Sequence, residues 1–538
     1  MISQSTNSIH KKKPLGSIIF VLSAVTIAVY CVSFLNGFVW DDEFIIVKNP
    51  AIRQMTSITD LFLSPDVVKP YYRPLNRATY LVDYWLFGMN PSAFHAINIT
   101  IHLLNVVLFY LACSRMATNR VLAVIAALIF AVHPINTESV NFISARNNLL
   151  SLFFSFASFL LFLRGGERGR GWLFLSAILF FFGLLCKETA LMLLIVIVLY
   201  TLLARPSFII AGFRGKASIL LPYFASLAVY LLMRWYALNG ITGTGPLTEG
   251  LTGRLILNYY ILPHYLGLFL FPVDLTIFHV VPKAAFLAAP RLLFAWGAIL
   301  LALGLIVRWN NRAAILGLFW FGLNYLPIAN IVPIPSWPMA ERYMYIPGAG
   351  LCLVAGEFFG HIYSKYSAKK LMWIGACAIV IALAVLTVKR NKEWKNEVSL
   401  FASTIKTDPS SVEGHFNLGN ALIDRGDRGG AKLEWEKALQ IDPVHSGALT
   451  QIGTLFATQG DFLQAEQYYN AALRSSFRNA MAYYNLGKLY EIQGNLRKAI
   501  EQYELSLRYI DVTYAEYTQE IKSRVAQLRK KVAKYDGN

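Results

Sequence analysis

The chain has 538 residues, of which 56% are hydrophobic and only 15% are charged. Soluble globular proteins contain about 25% charged residues, so this composition excludes an ordinary soluble enzyme. The net charge of +18 lies mostly in short loops between apolar runs, which is typical of a membrane protein and argues against a nucleic-acid partner.

The charged residues divide the chain into two parts. Residues 389–538 hold 21 Lys or Arg and 18 Asp or Glu, whereas residues 1–388 are strongly apolar. The sequence therefore predicts an all-α protein, with a multi-pass membrane domain over 1–388 and a water-soluble domain over 389–538.

Eleven apolar runs are long enough to cross about 30 Å of hydrocarbon as helices. They lie near residues 15–36, 93–112, 120–136, 142–163, 171–186, 189–204, 216–237, 290–308, 313–331, 343–360 and 370–388. A twelfth run, 254–272, contains Pro263 and His264 at its middle. Because proline weakens a plain membrane span, we expect this run to be re-entrant or interfacial.

The basic residues predict the orientation of the spans, because short cytoplasmic loops collect Lys and Arg. If 254–272 does not cross, every second loop is basic. These loops carry Lys11–Lys13, Arg115/Arg120, Arg164/Arg168/Arg170, Arg205/Arg214/Lys216, Arg308/Arg312 and Lys365/Lys369/Lys370. This pattern predicts eleven spans and a tail on the outer face, periplasmic in a bacterial inner membrane or luminal in an endoplasmic reticulum membrane.

The tail contains an internal repeat of 34 residues, the period of tetratricopeptide helix pairs. Small residues recur at Gly419, Gly453 and Gly487 and at Ala431, Ala465 and Ala499, and large ones recur at Trp435, Tyr469 and Tyr503. The predicted array is a half repeat over 394–409 and full repeats over about 412–445, 446–479 and 480–513. Such an α-solenoid exposes a concave surface for peptides or partner proteins.

The first outer loop, about residues 37–92, opens with three adjacent carboxylates: Asp41, Asp42 and Glu43. Like charges so close raise one another's pKa unless they are hydrated, metal-bound or used in chemistry. One of them can serve as a general base, or Asp41 and Asp42 can hold a divalent cation. The alternative is a solvated acidic turn after the first span.

Further ionisable clusters lie at the predicted outer ends of the helices, where membrane proteins place functional groups. Arg73 stands between Tyr72 and a proline and is suited to paired hydrogen bonds with phosphate. The other clusters are His133, Asn136, Glu138 and Arg146 in the second outer loop, Lys187 and Glu188 in the third, and Glu341 and Arg342 in the fifth. Helix capping and ion pairing between neighbouring loops are the alternative explanation.

The ordered set GFVWDDEFIIVKNP, YYRPL, HPINTESVNFISARNN, CKET and ERYMYIP, followed by the repeats, resembles the transmembrane and tetratricopeptide-repeat O-mannosyltransferases and their bacterial relatives, which are GT-C class membrane glycosyltransferases. The resemblance implies transfer of a sugar, with mannose one candidate, from a polyprenyl-phosphate carrier to an acceptor on the outer face. It also implies a catalytic acid in the first outer loop, which corresponds to Asp41 or Asp42.

Elementary chemistry agrees with this resemblance. A hydroxyl acceptor needs a base, and a departing lipid phosphate needs cations. We expect Asp42 to be the base and Asp41 to be its partner or a metal ligand. Arg73, Arg146, Lys187 and Arg342 are the expected phosphate ligands, and direct displacement predicts inversion at the sugar.

The acceptor is open at this stage, because three and a half repeats offer less concave surface than the longer arrays of the animal proteins. A protein, a glycan or a lipid remain candidates. Two other functions compete with the enzyme. One is a non-catalytic membrane-anchored scaffold whose repeats recruit envelope proteins, and the other is a transporter, which would favour ionisable residues near the middle of its spans.

Overall fold

The computed structural model describes residues 15–53, 57–66, 71–116, 120–203, 212–240, 250–280, 290–331, 337–365, 369–510 and 515–536. Two groups of the basic residues that predicted the orientation, Lys11–Lys13 and Arg205, lie outside the described residues. Within the described ranges every regular element is helical, as the sequence predicts.

The first part of the chain is a set of apolar helices joined by short loops. Its α-helices are Leu15–Tyr30 (α1), Pro50–Arg53 (α2), Ile58–Leu63 (α3), Pro74–Phe87 (α4), Pro91–Met116 (α5), Arg120–Val132 (α6), Thr137–Asn141 (α7), Arg146–Arg168 (α8), Arg170–Cys186 (α9), Leu191–Leu203 (α10), Gly212–Leu238 (α11), Leu251–Leu270 (α12), Pro290–Trp309 (α13), Arg312–Tyr325 (α14), Tyr345–Lys365 (α15) and Lys369–Glu393 (α16).

In the part of the chain that the structure describes, six helices are long and apolar enough to cross a membrane: Leu15–Leu35, Pro91–Met116, Ile143–Gly165, Ile219–Leu238, Pro290–Trp309 and Lys370–Glu393. A seventh span is formed if the pair Val121–Val132 and Pro134–Asn141, bent by 52°, is taken as one. Three shorter apolar helices, Arg170–Cys186, Glu188–Thr201 and Arg312–Ile328, coincide with other predicted runs. The protein is therefore a multi-pass membrane protein.

The ambiguous run 254–272 lies almost entirely in α12, a continuous helix that contains Pro263. Its contacts pair Arg254 with Ile331, Asn258 with Ala329, Tyr265 with Ala340 and Phe269 with His133. These partners follow α14, precede α15 or follow α6, and therefore lie in loops at one end of the spans. The whole length of α12 packs along that end.

The tail consists of helices joined by tight turns. They are Glu397–Thr407 (α17), Val412–Asp424 (α18), Arg428–Ile441 (α19), Ser446–Thr458 (α20), Phe462–Ser475 (α21), Ala480–Ile492 (α22), Leu496–Tyr509 (α23) and Ala515–Asp536 (α24). Each of the first seven is preceded by a residue whose side chain accepts a hydrogen bond from a backbone N–H of the first turn, which satisfies a free helix N–H. These capping residues are Asn396, Ser411, Asp427, His445, Asp461, Asn479 and Asn495.

The 34-residue period of the tail has a steric cause. Helices α18 and α19, α20 and α21, and α22 and α23 pack as pairs. A Cβ atom at Gly453 would lie 2.9 Å from the ring of Tyr469, and one at Gly487 would lie 2.7 Å from the ring of Tyr503. Only glycine therefore lets the large aromatic side chain of the second helix lie against the first.

The tail packs directly on the membrane part through a shared apolar cluster. This cluster joins Val39, Phe142, Ala145, Ile277 and Phe278 to Trp394, Leu400, Phe401, Leu418 and Ala421. Its members come from two outer loops, from the segment after α12 and from the first two helices of the tail. The start of the tail is thus built into the same end of the protein as the outer-loop motifs.

Candidate active site

The outer-loop motifs converge on one cavity of about 200 Å³ at the end of the spans. Its lining residues are Asp41, Ile45, Asp66, Tyr71, Arg73, Asn76, Phe142, Ser144, Ala145, Asn147, Asn148, Lys187, Glu188, Thr189, Pro327, Ile328, Trp337, Arg342 and Tyr343. All five of the segments quoted from the sequence, far apart along the chain, contribute to this wall, together with the turn after α14. The ends of α8, α9, α14 and α15 fix these segments in space.

The three adjacent carboxylates of the first loop have different environments. Asp41 lines the cavity. Asp42 is fully buried, and its two carboxylate oxygens accept hydrogen bonds from the Ser144 N–H (2.8 Å), the Ser144 hydroxyl (2.6 Å) and the Val39 N–H (3.2 Å). Glu43 is exposed and lies 3.4 Å from the ammonium group of Lys48. Only Asp41 of the three faces the cavity.

Burial changes the acidity of the first two carboxyl groups. It raises the pKa of Asp41 to about 6, although the positive charge of Arg342 opposes the shift. Burial also raises the pKa of Asp42 to about 7, against the hydrogen bonds from Ser144 and Val39. A carboxyl group with a pKa near 6 is a suitable general base near neutral pH.

Three cationic side chains line the cavity. The guanidinium of Arg73 lies 2.9 Å from a carboxylate oxygen of Glu188, and Arg342 is paired with the buried Glu138. Lys187 instead donates to the side-chain oxygen of Asn148, 2.5 Å away. Among the described residues, Lys187 is the cavity cation that has no carboxylate partner.

The surroundings of Lys187 disfavour the protonated, charged form of its side chain. Burial, with the nearby positive charge of Arg73, lowers its pKa to about 7, and Glu188 only partly opposes this. An anion entering the cavity would restore the preference for the charged form. The cavity thus has a carboxylate on one wall and an uncompensated ammonium group on another.

The structure does not bring Arg146 to the cavity. Its side chain is fully buried, and its guanidinium lies 2.5 Å from a carboxylate oxygen of Asp83. The same guanidinium donates to the Asn98 side chain, to the Thr79 hydroxyl and to the Phe94 carbonyl. The sequence placed Arg146 among the phosphate ligands, but its donors are already occupied and it holds α4, α5 and α8 together.

The remaining predicted supporting residues lie behind the cavity wall. The hydroxyl of Tyr72 donates to the carbonyl of Phe62, and the neighbouring Tyr71 lines the cavity instead. His133 stacks on Phe269 at 4.5 Å, and Asn136 donates to the Phe130 carbonyl. Glu341 is buried and lies 3.6 Å from Arg390 and 3.4 Å from His279. These contacts join loops and helix ends rather than facing the cavity.

Three cavity residues whose side chains can form hydrogen bonds lie outside the segments quoted from the sequence: Asp66, Asn76 and Trp337. Asp66 contributes a third cavity carboxylate, beside Asp41 and Glu188, and its N–H donates to the carbonyl of Tyr71, 2.9 Å away. Asp66 and Trp337 stand outside the charged motifs, and Asn76 lies between Arg73 and Arg77 but is itself a neutral amide, so the sequence did not single out any of the three. They are brought to the site by the folding of the first outer loop and by the segment before α15.

The residues present do not fit a divalent cation shared by Asp41 and Asp42. Both oxygens of Asp42 already accept hydrogen bonds, and Asp42 does not line the cavity. Within the described residues, no group of three or more His, Cys, Asp or Glu is arranged to hold a metal ion.

A second, apolar cavity of about 220 Å³ lies between the spans. Its lining includes Phe156 of α8, Val196 of α10, Trp320 of α14 and Ala349 of α15. The polar cavity is lined by residues at the ends of α8, α14 and α15 and by the turn before α10. Phe156 lies eight residues beyond Asn148, or about 12 Å along α8.

The fold and the polar cavity define the class of the protein: a multi-pass helical membrane protein with a charged site where its outer-loop motifs meet. The family described as dolichyl-phosphate-mannose-protein mannosyltransferase matches residues 82–231, and the tetratricopeptide repeat family matches residues 450–511. These matches fall on the membrane part and on the tail respectively.

Individual relatives are named as protein O-mannosyl-transferases. The chain is 26% identical over 495 residues to Protein O-mannosyl-transferase TMTC3 of Mus musculus, covering 84% of this chain and 54% of that protein. It is 28% identical over 512 residues to Protein O-mannosyl-transferase TMTC1 of Homo sapiens, covering 81% and 56%. These sequence matches confirm the resemblance that the motifs indicated. The chain spans about half the length of the curated relatives it matches.

Solved structures give one further comparison. The crystal structure of ArnT from Cupriavidus metallidurans in the apo state matches 83% of this chain and 81% of that chain, with a TM-score of 0.41 and 17% identity.

Proposed function

We propose that this protein is an integral-membrane glycosyltransferase that moves a sugar from a polyprenyl-phosphate carrier to an acceptor hydroxyl, with mannose the first candidate sugar. One observation carries the proposal: Asp41 and the cations Arg73, Lys187 and Arg342 line the same cavity. A base and a phosphate site are the two elements that transfer from a lipid phosphate requires.

The proposed general base is Asp41, which faces the cavity. This assignment reverses the order expected from the sequence, because Asp42 turns its carboxylate toward Ser144 and Val39. Asp42 then supports the loop that carries the base. Glu43 is exposed and has no proposed part in the reaction.

The proposed phosphate site centres on Lys187. Arg73 and Arg342 already have carboxylate partners, so Lys187 offers the charge that a phosphate would compensate. Arg73 and Arg342 present further N–H donors beside Lys187.

The apolar cavity suits the prenyl chain of the donor. It lies along α8, α10, α14 and α15, the helices whose ends or preceding turn form part of the polar cavity wall. A lipid chain lying between these helices would carry its phosphate to the level of Lys187. The lining of this cavity is apolar, so a prenyl chain there would leave no polar group without a hydrogen-bond partner.

In the proposed reaction, the acceptor oxygen attacks the anomeric carbon of the sugar and its proton passes to the carboxylate of Asp41. The bond from the anomeric carbon to the phosphate oxygen breaks, and the electron pair leaves with the polyprenyl phosphate. The positive charge of Lys187, Arg73 and Arg342 stabilises that leaving group. A single displacement of this kind inverts the configuration at the sugar.

The proposed membrane arrangement has eleven spans. The six long helices, the bent pair, the three shorter apolar helices and Tyr345–Lys365 make up this number. The contacts of α12 along one end of the spans support its placement at the interface rather than across the membrane. With the basic loops inside, the cavity and the tail both lie on the periplasmic or luminal side.

The proposed role of the tail is to hold the acceptor or a partner protein. Its helix pairs and the 34-residue period support a tetratricopeptide solenoid with a concave face. Its first helices lie beside the polar cavity, in the cluster that contains Phe142 and Ala145. A peptide carrying the acceptor hydroxyl is therefore the first candidate.

The test is sugar transfer by the full chain in detergent, using a panel of radiolabelled polyprenyl-phosphate sugars. We expect wild-type turnover of at least one donor, and a loss of about 10²- to 10⁴-fold in Asp41→Asn with donor binding retained. The exposed neighbour provides the control, since Glu43→Gln should keep wild-type turnover. Absence of both turnover and donor binding in the wild type would contradict the enzyme and favour the scaffold.

A further inference from the structure

Trp40, the residue immediately before Asp41, has an unusual backbone conformation. Its φ angle is +55°, in the left-handed region that a bulky residue rarely adopts. Such a conformation is costly and persists only where surrounding contacts impose it. Because Asp41 follows directly, the contacts that hold Trp40 also set the direction of the Asp41 side chain.

Two of the backbone contacts that hold this turn come from the start of the tail. Others lie within the turn, from the Asp42 N–H to the Val39 carbonyl and from the Val39 N–H to the Asp42 carboxylate. The Trp40 N–H donates to the carboxylate of Glu397, 3.0 Å away. The Gly37 N–H donates to the carbonyl of Lys395, also at 3.0 Å. Two hydrogen bonds therefore tie residues 37–40 to a segment more than 350 residues later in the chain.

The side chain of Trp40 is held between aromatic rings. It stacks on Phe142 at 5.2 Å and meets the edge of Phe278 at 5.3 Å, and Phe278 lies parallel to Phe401 of α17 at 6.3 Å. The guanidinium of Arg342 lies 5.5 Å from the Trp40 ring. The tail thus contacts both the backbone and the ring packing of the turn.

Glu397 is itself fixed by its place in the fold. It is the first residue of α17, whose start is closed by reciprocal hydrogen bonds between Asn396 and Ser399. Only three residues, Trp394 to Asn396, separate α17 from α16. Its carboxylate is favoured at the positive end of the helix and is half-buried against Trp40.

We infer that Glu397 is a positioning residue for the proposed reaction: through the Trp40 N–H it imposes the backbone conformation that directs Asp41 into the cavity. The inference rests on the proposed function. It makes the first helix of the tail a part of the active site, not only a place where partners bind. Without the acceptor on residue 397, Trp40 relaxes to a negative φ and Asp41 leaves its reacting position.

The experiment compares the full-length wild type with Glu397→Ala and Glu397→Gln, using donor turnover and amide hydrogen exchange of the segment 37–46. In Glu397→Ala we expect kcat to fall about 10- to 100-fold with KM changed less than about twofold, because the base and not the donor site is displaced. Exchange should rise in 37–46 and stay unchanged in α8. Glu397→Gln keeps an acceptor oxygen and should restore most of kcat.

A matched control removes a carboxylate elsewhere in the tail. Glu436 is exposed and forms a surface ion pair with Lys432, so Glu436→Ala should leave kcat and exchange unchanged. If Glu397→Ala does not fold, Glu397→Met keeps the length of the side chain without an acceptor, and the same comparison applies.

The inference is overturned if Glu397→Ala retains wild-type kcat, or if exchange rises throughout the tail and the membrane part. A wild type that turns over no donor would instead contradict the proposed function. Exchange of 37–46 would still decide whether Glu397 holds Trp40, so the two failures are distinguishable.

Discussion

Ser144 donates two hydrogen bonds to the same carboxylate oxygen of Asp42, from its backbone N–H at 2.8 Å and from its hydroxyl at 2.6 Å. The bonds join the first outer loop to the second, more than 100 residues apart. They remove Asp42 from the cavity and leave Asp41 as its acidic neighbour in the wall. Asp42 thus joins two loops, whereas Asp41 faces the cavity.

This separation predicts a stability defect for Asp42→Asn. Asparagine has one acceptor oxygen in place of two, so either the Val39 N–H or the Ser144 donors lose their acceptor, which costs about 1–3 kcal/mol of unfolding free energy. Unfolding in detergent measures the change, and Glu43→Gln is the exposed control. We expect the folded fraction of Asp42→Asn to keep substantial turnover. If the Asp42→Asn protein were fully stable but had no turnover, Asp42 and not Asp41 would be the general base.

The pKa values of Asp41 and Lys187 predict a bell-shaped dependence of kcat/KM on pH. The base acts when ionised, so the rate rises with pH through about 6. The phosphate site acts when Lys187 is protonated, so the rate falls again above about 7 in the free enzyme. Lys187→Arg should lose the falling limb, because guanidinium stays charged across this range. A falling limb unchanged in Lys187→Arg would exclude Lys187 as its source.

The buried pair of Arg146 and Asp83 predicts a structural effect rather than a binding effect. Asp83→Asn leaves the guanidinium buried without its counter-charge, which should lower the unfolding free energy by about 3 kcal/mol. Donor affinity of the folded protein should be unchanged, since Arg146 does not line the cavity. Parallel unfolding and donor-binding measurements test this. Weaker donor binding at unchanged stability would restore Arg146 as a phosphate ligand.

The helices and repeats were predictable because their signals are local. Hydropathy over about 20 residues marks a span, and the 34-residue recurrence of glycine and aromatic residues follows from the close contacts of Gly453 and Gly487 with tyrosine rings. Proline in 254–272 weakened the signal of a span there, and the structure has a continuous α12 along one end of the bundle. The orientation of α12 depends on its contacts with loops that are distant in sequence, and local composition does not predict those contacts.

The site was predictable as a set of segments but not side chain by side chain. The acidic triplet, Arg73, Lys187 and Arg342 stood in clusters of charge, and the fold brings Asp41 and these three cations to one cavity. Which carboxylate faces inward depends on Ser144, and the burial of Arg146 depends on Asp83. Asp66 reaches the wall from a stretch outside the charged motifs. These outcomes are set by tertiary contacts, which no spacing rule contains.

The short junction between α16 and α17 constrains how any protein held by the tail would meet the membrane. Three residues extend over at most about 11 Å, and one of them, Lys395, is also hydrogen-bonded to Gly37. The tail therefore has a fixed orientation relative to the membrane domain. A segment bound by the repeats would lie at a constant height above the bilayer. The hydroxyls that are modified would then lie at a fixed distance from the bound segment.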